Sequence, residues 1–234
     1  MTEFHRCAIY AAPAMDSEAW EAGSRWLGRC AGTGQTWAPL AWPGLSAAEV
    51  DAGTREPRRY GWHATLKAPF RLVPGAGLAQ LRQALGALAA RQRAFDMPRM
   101  VVRPLGRFLA WVPEQRCEPI HALADRCVSE LQPLAAPLSE TEIDRRRAKG
   151  GLSPAQEALM LRWGYPFVFE HLRFHFSLTG DLSACDGPRR EAWLAAARDH
   201  LDGVLPGRID RLCLFAEATP GADFVRLADW ELAP

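Results

Sequence analysis

Two short stretches of the chain repeat one pattern of histidine, any residue, hydroxyl and leucine: His63-Ala64-Thr65-Leu66 and His175-Phe176-Ser177-Leu178. Each copy sits among alternating polar and apolar residues, the period of an extended strand whose successive side chains point to opposite faces. In the first copy His63, Thr65 and Lys67 are expected on one face, with Trp62, Leu66 and Ala68 on the other. In the second, Arg173, His175, Ser177 and Thr179 alternate with Phe174, Phe176 and Leu178, as in a half-buried strand with a polar open face. Apolar residues at helical spacing follow both copies, over Leu78 to Arg93 and Pro188 to Leu205. A unit of strand, helix and strand that occurs twice predicts a pseudo-symmetric molecule. Its two histidine strands would lie side by side and offer both rings to one cleft.

The remaining elements fit around this repeat. A strand is expected over Arg6 to Tyr10, ended by Ala12-Pro13, then a helix capped by Asp16 or Ser17 and running to about Cys30. A Trp/Pro-rich loop reaches Gly44, and Ser46 to Asp51 reads as a short helical turn leading to the strand of His63. Met100 to Val112 reads as a hairpin broken near Gly106, and Pro119 to Leu131 as an amphipathic helix. Ser139 to Trp163 is a polar, arginine-rich helical stretch interrupted at Gly150-Gly151 and restarted by Ser153-Pro154. Arg208 to Ala216 and Phe224 to Leu232 form a closing antiparallel pair. The expected class is α+β, mostly antiparallel. Neither G-x-G-x-x-G nor G-x-x-x-x-G-K-[ST] occurs, so no nucleotide cofactor is expected.

Composition narrows the partners. With 48% hydrophobic residues, 234 residues can bury the core of one compact unit. A net charge of +1 and no basic tail lack the electrostatic footprint of a duplex nucleic-acid binder, while a small anionic ligand remains compatible. No apolar run approaches the roughly 20 residues of a membrane-spanning helix, so no membrane partner is expected. Six scattered cysteines without a C-x-x-C pair, and no basic-then-apolar leader, indicate a reduced, cytoplasmic protein. Lysine occurs only at Lys67 and Lys149, which makes Lys67 conspicuous. Oligomeric state leaves no trace in the sequence.

The paired H-x-[ST]-L motifs resemble the two-histidine (2H) phosphoesterase superfamily, which includes bacterial RNA 2′,3′-cyclic phosphodiesterase/ligase proteins. Tyr60-Gly61-Trp62-His63-Ala64-Thr65-Leu66-Lys67-Ala68-Pro69-Phe70 and Phe174-His175-Phe176-Ser177-Leu178-Thr179-Gly180 are similar to a branch associated with phosphonate-utilisation operons, as are Ala8-Ile9-Tyr10 and Trp26-Leu27-Gly28-Arg29. Ser177 stands where many relatives have threonine, and the hydroxyl is kept. The resemblance covers nearly the whole chain. It implies a bilobal α+β fold around a central cleft in a single domain over 1–234, with lobes at about 1–135 and 165–234 and a helical insertion at about 136–164.

The resemblance also implies roles. Cleaving a phosphodiester without a metal needs one group to take a proton from water and another to give one to the leaving oxygen. Histidine, with an unperturbed pKa of about 6.5, does both near neutrality. His63 and His175 are the expected pair, and Thr65, Ser177 and Lys67 the expected phosphate contacts. Tyr10, Tyr60, Arg173 and Thr179 are secondary candidates to line the cleft. No cofactor or metal is expected. The expected substrate is a small cyclic phosphodiester of ribose type, phosphoribosyl 1,2-cyclic phosphate being suggested by the operon context, with an RNA end as the alternative. His5, His121, His171 and His200 read as structural residues, and Arg145, Arg146 and Arg147 as a wet helix face. The tryptophans read as packing residues. Two further classes compete. A zinc hydrolase would use His171 and His175, four apart on a helix, against the strand pattern there. A binder of phosphorylated ligands would keep the fold without turnover. Deleting Glu140 to Gly150 is expected to alter substrate range more than folding, as loss of a lid over the cleft would.

Overall fold

The computed structural model describes residues 4–148, 150–205 and 207–234; Lys149 lies outside them. Four elements precede the first repeat helix: β1 (Arg6–Ala11), α1 (Glu18–Leu27), α2 (Ala47–Tyr60) and β2 (Ala64–Phe70). They lead to α3 (Leu78–Ala89), β3 (Phe95–Asp96), β4 (Met100–Leu105), β5 (Phe108–Pro113) and α4 (Glu118–Leu131). The inserted helices α5 (Glu140–Ala148) and α6 (Pro154–Trp163) come next. The chain closes with β6 (Phe176–Ser177), α7 (Gly187–Leu201), β7 (Arg208–Ile209), β8 (Arg211–Glu217) and β9 (Phe224–Glu231). Among the described residues no helix is long and apolar enough to cross a membrane.

Seven strands form one antiparallel sheet in the order β4-β5-β6-β2-β1-β8-β9, and β3 pairs with β7 in a separate ribbon. The order is pseudo-symmetric. The β1/β2 pair answers to β5/β6, α3 to α7, β3 to β7 and β4 to β8. Each half of the sheet takes its outer strand from the other half of the chain, since β4 flanks β5 while β8 flanks β1. The halves meet at one bridge, Ala64 to Phe176, the second residue of each H-x-[ST]-L copy. Tyr10 opposes Thr65 in one half as Ala110 opposes Ser177 in the other. The chain is therefore α+β and antiparallel, with the two histidine strands side by side.

The face away from the histidines is packed with aromatic rings. Trp62 is wholly buried and lies 4.8 Å from Phe176 and 6.0 Å from Trp111, measured between ring centroids. Helix α1 approaches closely enough that a Cβ on Gly23 would strike the Trp62 ring. Trp26 on α1 donates its indole N–H to the Leu178 carbonyl at 2.7 Å, tying this helix to the second motif.

Two expectations are corrected. The short turn expected over Ser46 to Asp51 is the start of a helix of 14 residues, with Ser46 and Glu49 forming a capping box. Its inward positions are Val50, Thr54 and Pro57, at helical spacing but with only one aliphatic residue, so the apolar pattern is faint. Pro57 removes the amide that would bond the Gly53 carbonyl, and Gly180 N–H, just past the second motif, takes that acceptor at 2.7 Å. The strand expected over 173–179 pairs as a strand only at Phe176–Ser177. Beyond it the amides of Leu178 and Thr179 both reach the Leu109 carbonyl, at 2.9 and 3.3 Å, so the ladder bulges.

Candidate active site

His63 and His175 stand immediately before β2 and β6, in equivalent places. Each ring is held in the same way: His63 Nδ1–H donates to the Gly61 carbonyl at 2.8 Å, and His175 Nδ1–H to the Arg173 carbonyl at 2.5 Å. A carbonyl only accepts, so Nδ1 carries the proton and Nε2 of each neutral ring has a free lone pair. Thr65 and Ser177 follow one strand step later, both half-buried.

The surroundings of the two rings differ. Tyr10 stacks on His63 with centroids 3.7 Å apart, and Tyr60 lies 6.2 Å away. Burial pulls the His63 pKa down to about 4 against an upward pull from the Gly61 bond, with the charge of His175 adding a smaller downward pull. The charge of His175 thus reaches the His63 ring. His175 has Phe108 at 5.4 Å and, among the described residues, no stacked ring. Burial lowers its pKa too, with the Arg173 charge assisting and the Arg173 carbonyl opposing.

The expected phosphate contact Lys67 lies elsewhere. Between Tyr10 and Ile9 the partner on β2 moves from Thr65 to Lys67, leaving Leu66 as an extra residue. Directly opposed residues share a face, and Ile9 and Tyr10 point opposite ways. The bulge therefore turns Lys67 off the face of Thr65 and His63. Lys67 is 3% exposed, and its Nζ donates to the Val128 carbonyl and to Gln132 Oε1 at 3.2 and 2.9 Å. Burial takes its pKa down to about 8. Thr179, the equivalent residue in the second copy, is 2% exposed for the same reason. Its hydroxyl accepts from Leu109 N–H at 3.0 Å and donates to the Gly180 carbonyl at 2.9 Å.

The other candidates divide. Tyr10 and Tyr60 both lie beside His63. Arg173 contributes its backbone to His175, while its exposed guanidinium lies over the Phe167 ring at 6.0 Å. His171 belongs to a 3-10 turn, Phe169–His171, and shares no helix with His175. Of the arginine run, Arg145 and Arg147 are exposed, whereas Arg146 turns inward over the Tyr165 ring at 5.9 Å.

Two contributors escaped the sequence pattern. Gly61 has a φ of 78° and a ψ of 179°, and a Cβ there would run into Ala31. Only glycine ends α2 in this way while aiming its carbonyl at the His63 ring. The glycine two residues before the motif histidine was the available signal. The second is Glu217, 0% exposed, whose carboxylate accepts from Arg6, Arg59 and the Gly221 amide. Its partners are too distant in sequence to be read together.

Among curated proteins, "Ribose 1,5-bisphosphate phosphokinase PhnN" of Janthinobacterium sp. (strain Marseille) is 39% identical over 232 residues, covering 98% of this chain and 50% of that protein. The protein of the same name from Laribacter hongkongensis (strain HLHK9) is 40% identical over 220 residues, covering 94% of this chain and 50% of that one. The chain thus spans about half the length of these relatives. Among solved structures, E. coli LigT complexed with ATP aligns at 15% identity over 99% of both chains, with a TM-score of 0.46. A structure described as a phosphoesterase aligns at 17% identity, covering 98% of this chain and 99% of that one, with a TM-score of 0.44. The family described as "Protein of unknown function (DUF1045)" matches residues 65–225, which is more than half of the chain and holds the strand of His175 together with most of β2, and the chain belongs to that family.

Proposed function

We propose that the chain is a phosphodiesterase that opens a small, ribose-type cyclic phosphodiester by two-histidine acid–base catalysis. One observation carries this reading: two imidazoles on adjacent strands, each with Nδ1–H tied to the carbonyl two residues back and Nε2 left for chemistry. A pair held in this way supplies both proton transfers of an in-line displacement, so the step requires no Lewis acid. Water attacks phosphorus, its proton passes to Nε2 of one histidine, and the P–O bond to the sugar breaks as Nε2–H of the other protonates the leaving oxygen. The products are a phosphomonoester and a free hydroxyl, and exchange with bulk water resets the two rings. Thr65 and Ser177 donate to the non-bridging oxygens, where charge grows in the transition state.

The two environments favour a division of labour. His63, pulled down to about 4, stays neutral near pH 7 and serves as base, while the more open His175 takes and returns the proton. The relatives named as ribose bisphosphate kinases are about twice as long, and this chain has no G-x-x-x-x-G-K-[ST] loop to cradle a nucleotide triphosphate. Their name supports a phosphorylated ribose as the class of substrate.

The test is hydrolysis of ribose cyclic phosphates, including 2′,3′-cyclic nucleotides and phosphoribosyl 1,2-cyclic phosphate, with EDTA present, comparing wild type, His63→Ala and His175→Ala. Turnover in EDTA that either substitution lowers by about a hundredfold or more supports the reading. Turnover that survives both substitutions excludes it. Binding without turnover on every compound would favour a non-catalytic phosphate binder, and preference for oligonucleotide ends would favour an RNA substrate.

A further inference from the structure

Lys67 is a cation drawn out of water without an anion beside it. Its Nζ donates to two neutral acceptors, the Val128 carbonyl at 3.2 Å and Gln132 Oε1 at 2.9 Å. An ammonium carries three N–H donors, and the third has no acceptor among the described residues. Cys127 of α4 is no counter-ion, because burial pushes its thiol up to about 12 and keeps it protonated. The Phe70 ring, its centroid 5.1 Å from Nζ, offers only the partial negative charge of an aromatic face. Buried charges are as a rule paired, since an ion taken out of water loses its solvation.

The three groups around Nζ, on Val128, Gln132 and Phe70, all line one cavity, as Lys67 itself does. It measures about 130 Å³ and lies between β2, the end of α4 and the inserted helices α5 and α6. None of His63, His175, Thr65 and Ser177 lines it. Leu138, Trp163 and Val168 add apolar wall, and the exposed Leu161 and Arg162 mark its mouth. Arg71 lines it too, but its guanidinium is matched by Glu142 at 2.9 Å. What remains is one unpaired, buried positive charge with one open donor against apolar and aromatic walls. A carboxylate complements that charge and that donor, whereas a phosphate dianion asks for several donors at once. A cavity of roughly 150 Å³ admits a benzene ring, so the space suits an apolar body of about that size. Lysine occurs at only two of the 28 Lys and Arg positions, and here its compact ammonium leaves room that the planar fork of an arginine would fill.

We propose that this cavity is a second ligand site, separate from the histidine cleft, that takes a small organic monocarboxylate with its charged end on Lys67 Nζ and its apolar body against the walls. The inference does not depend on the two-histidine reading, and its test reads binding rather than turnover.

The experiment is calorimetry with benzoate, its uncharged analogue benzamide, and inorganic phosphate, in wild type, Lys67→Met and Arg162→Gln. At pH 7 wild type is expected to bind benzoate about tenfold or more tighter than benzamide or phosphate. Benzoate affinity should fall about tenfold or more in Lys67→Met and hold within about threefold in Arg162→Gln. Should Lys67→Met fail to fold, wild type at two pH values carries the comparison. Among the groups at the cavity only the Lys67 amine changes charge between pH 7 and 9.5, since burial takes it down to about 8. Burial raises the Tyr165 phenol and keeps it protonated. Burial also pulls Glu142 upward, but bonds from Ser139 and Arg71 outweigh it and hold that carboxyl ionised; the Arg71 and Arg162 guanidiniums stay charged. The carboxylate needs the ammonium, so benzoate affinity should drop about tenfold or more as pH rises from 7 to 9.5 while that of benzamide holds. Absence of benzoate binding overturns the proposal, as does benzamide or phosphate binding equally well. Benzoate affinity indifferent to Lys67 and to pH, or lost in Arg162→Gln instead, overturns it too.

Discussion

The two motif copies hold their histidines with the same backbone bond but surround them differently. In the first half Tyr10 opposes Thr65 and lies flat on His63; in the second, Ala110 opposes Ser177 and His175 has only the edge of its environment closed by Phe108. In the first half a glycine with positive φ supplies the carbonyl that orients the ring, and in the second an arginine without positive φ does so. The shared features are those that geometry demands of both imidazoles. The features that differ set how readily each ring takes a proton, so a duplicated strand unit can yield two imidazoles of unlike basicity.

The sharpest way to break this comparison is to remove each ring in turn. His63→Ala and His175→Ala should each lower kcat/KM by about 10²–10⁴-fold on a ribose cyclic phosphate. A p-nitrophenyl phosphodiester, whose leaving group needs no proton, should recover at least tenfold in His175→Ala relative to His63→Ala. The opposite pattern would exchange the assigned roles.

The backbone difference predicts the next largest effect. Gly61→Ala forces a side chain into positive φ and against Ala31, and should cost about 2–4 kcal/mol from strain and overpacking combined. Arg173→Ala keeps the carbonyl that His175 uses and should stay within about 0.5 kcal/mol. Denaturant midpoints compare the two directly, and equal losses would show that the two ring supports are interchangeable.

Tyr10→Leu makes the first half more like the second. Less burial should raise the His63 pKa from about 4 toward its ordinary 6.5, as read by NMR titration of the ring. The sign for stability follows. In wild type the unfolded chain binds a proton near pH 6.5 and the folded one near 4, so His63 favours folding above that window and stability falls as pH drops through it. The slope should flatten in Tyr10→Leu, and an unchanged slope would remove Tyr10 as the cause.

The smallest effect is expected at Lys67, which both the bulge and its packing separate from the cleft. Lys67→Met should leave kcat/KM within about threefold, because uncharged volume replaces a buried amine. Its ordinary pKa of 10.5 falls to about 8 in the fold, so wild-type stability should rise with pH between those values, and this rise should vanish in the variant. A hundredfold loss of turnover would return Lys67 to the substrate.

Much of the site was legible because alternation is a local property. His63 with Thr65, and His175 with Ser177, need only one strand step each to share a face. The same rule failed one step later in both copies. A bulge inserts a residue without altering any residue type, so Lys67 and Thr179 still read as cleft residues although both are buried behind it. Helix α2 was legible only as its first turn, Ser46 to Asp51, since Thr54 and Pro57 occupy two of its three inward positions. Arg146 could not be told from Arg145 and Arg147, for a polar helix carries no apolar stripe to mark its inner side.

The sequence by itself determined the strand that follows each histidine, the hydroxyl one step beyond each ring, the helix after each strand, and an antiparallel α+β class. These follow from side-chain period, caps and turn residues within a few positions of one another. The tertiary structure alone decided that the strands join at Ala64 and Phe176, that Tyr10 stacks on one ring while Phe108 stands tilted beside the other, and that Arg6 meets Glu217 across 211 positions. Those outcomes depend on cross-strand register and on how deeply each group is drawn from water, and both are set by contacts between distant parts of the chain.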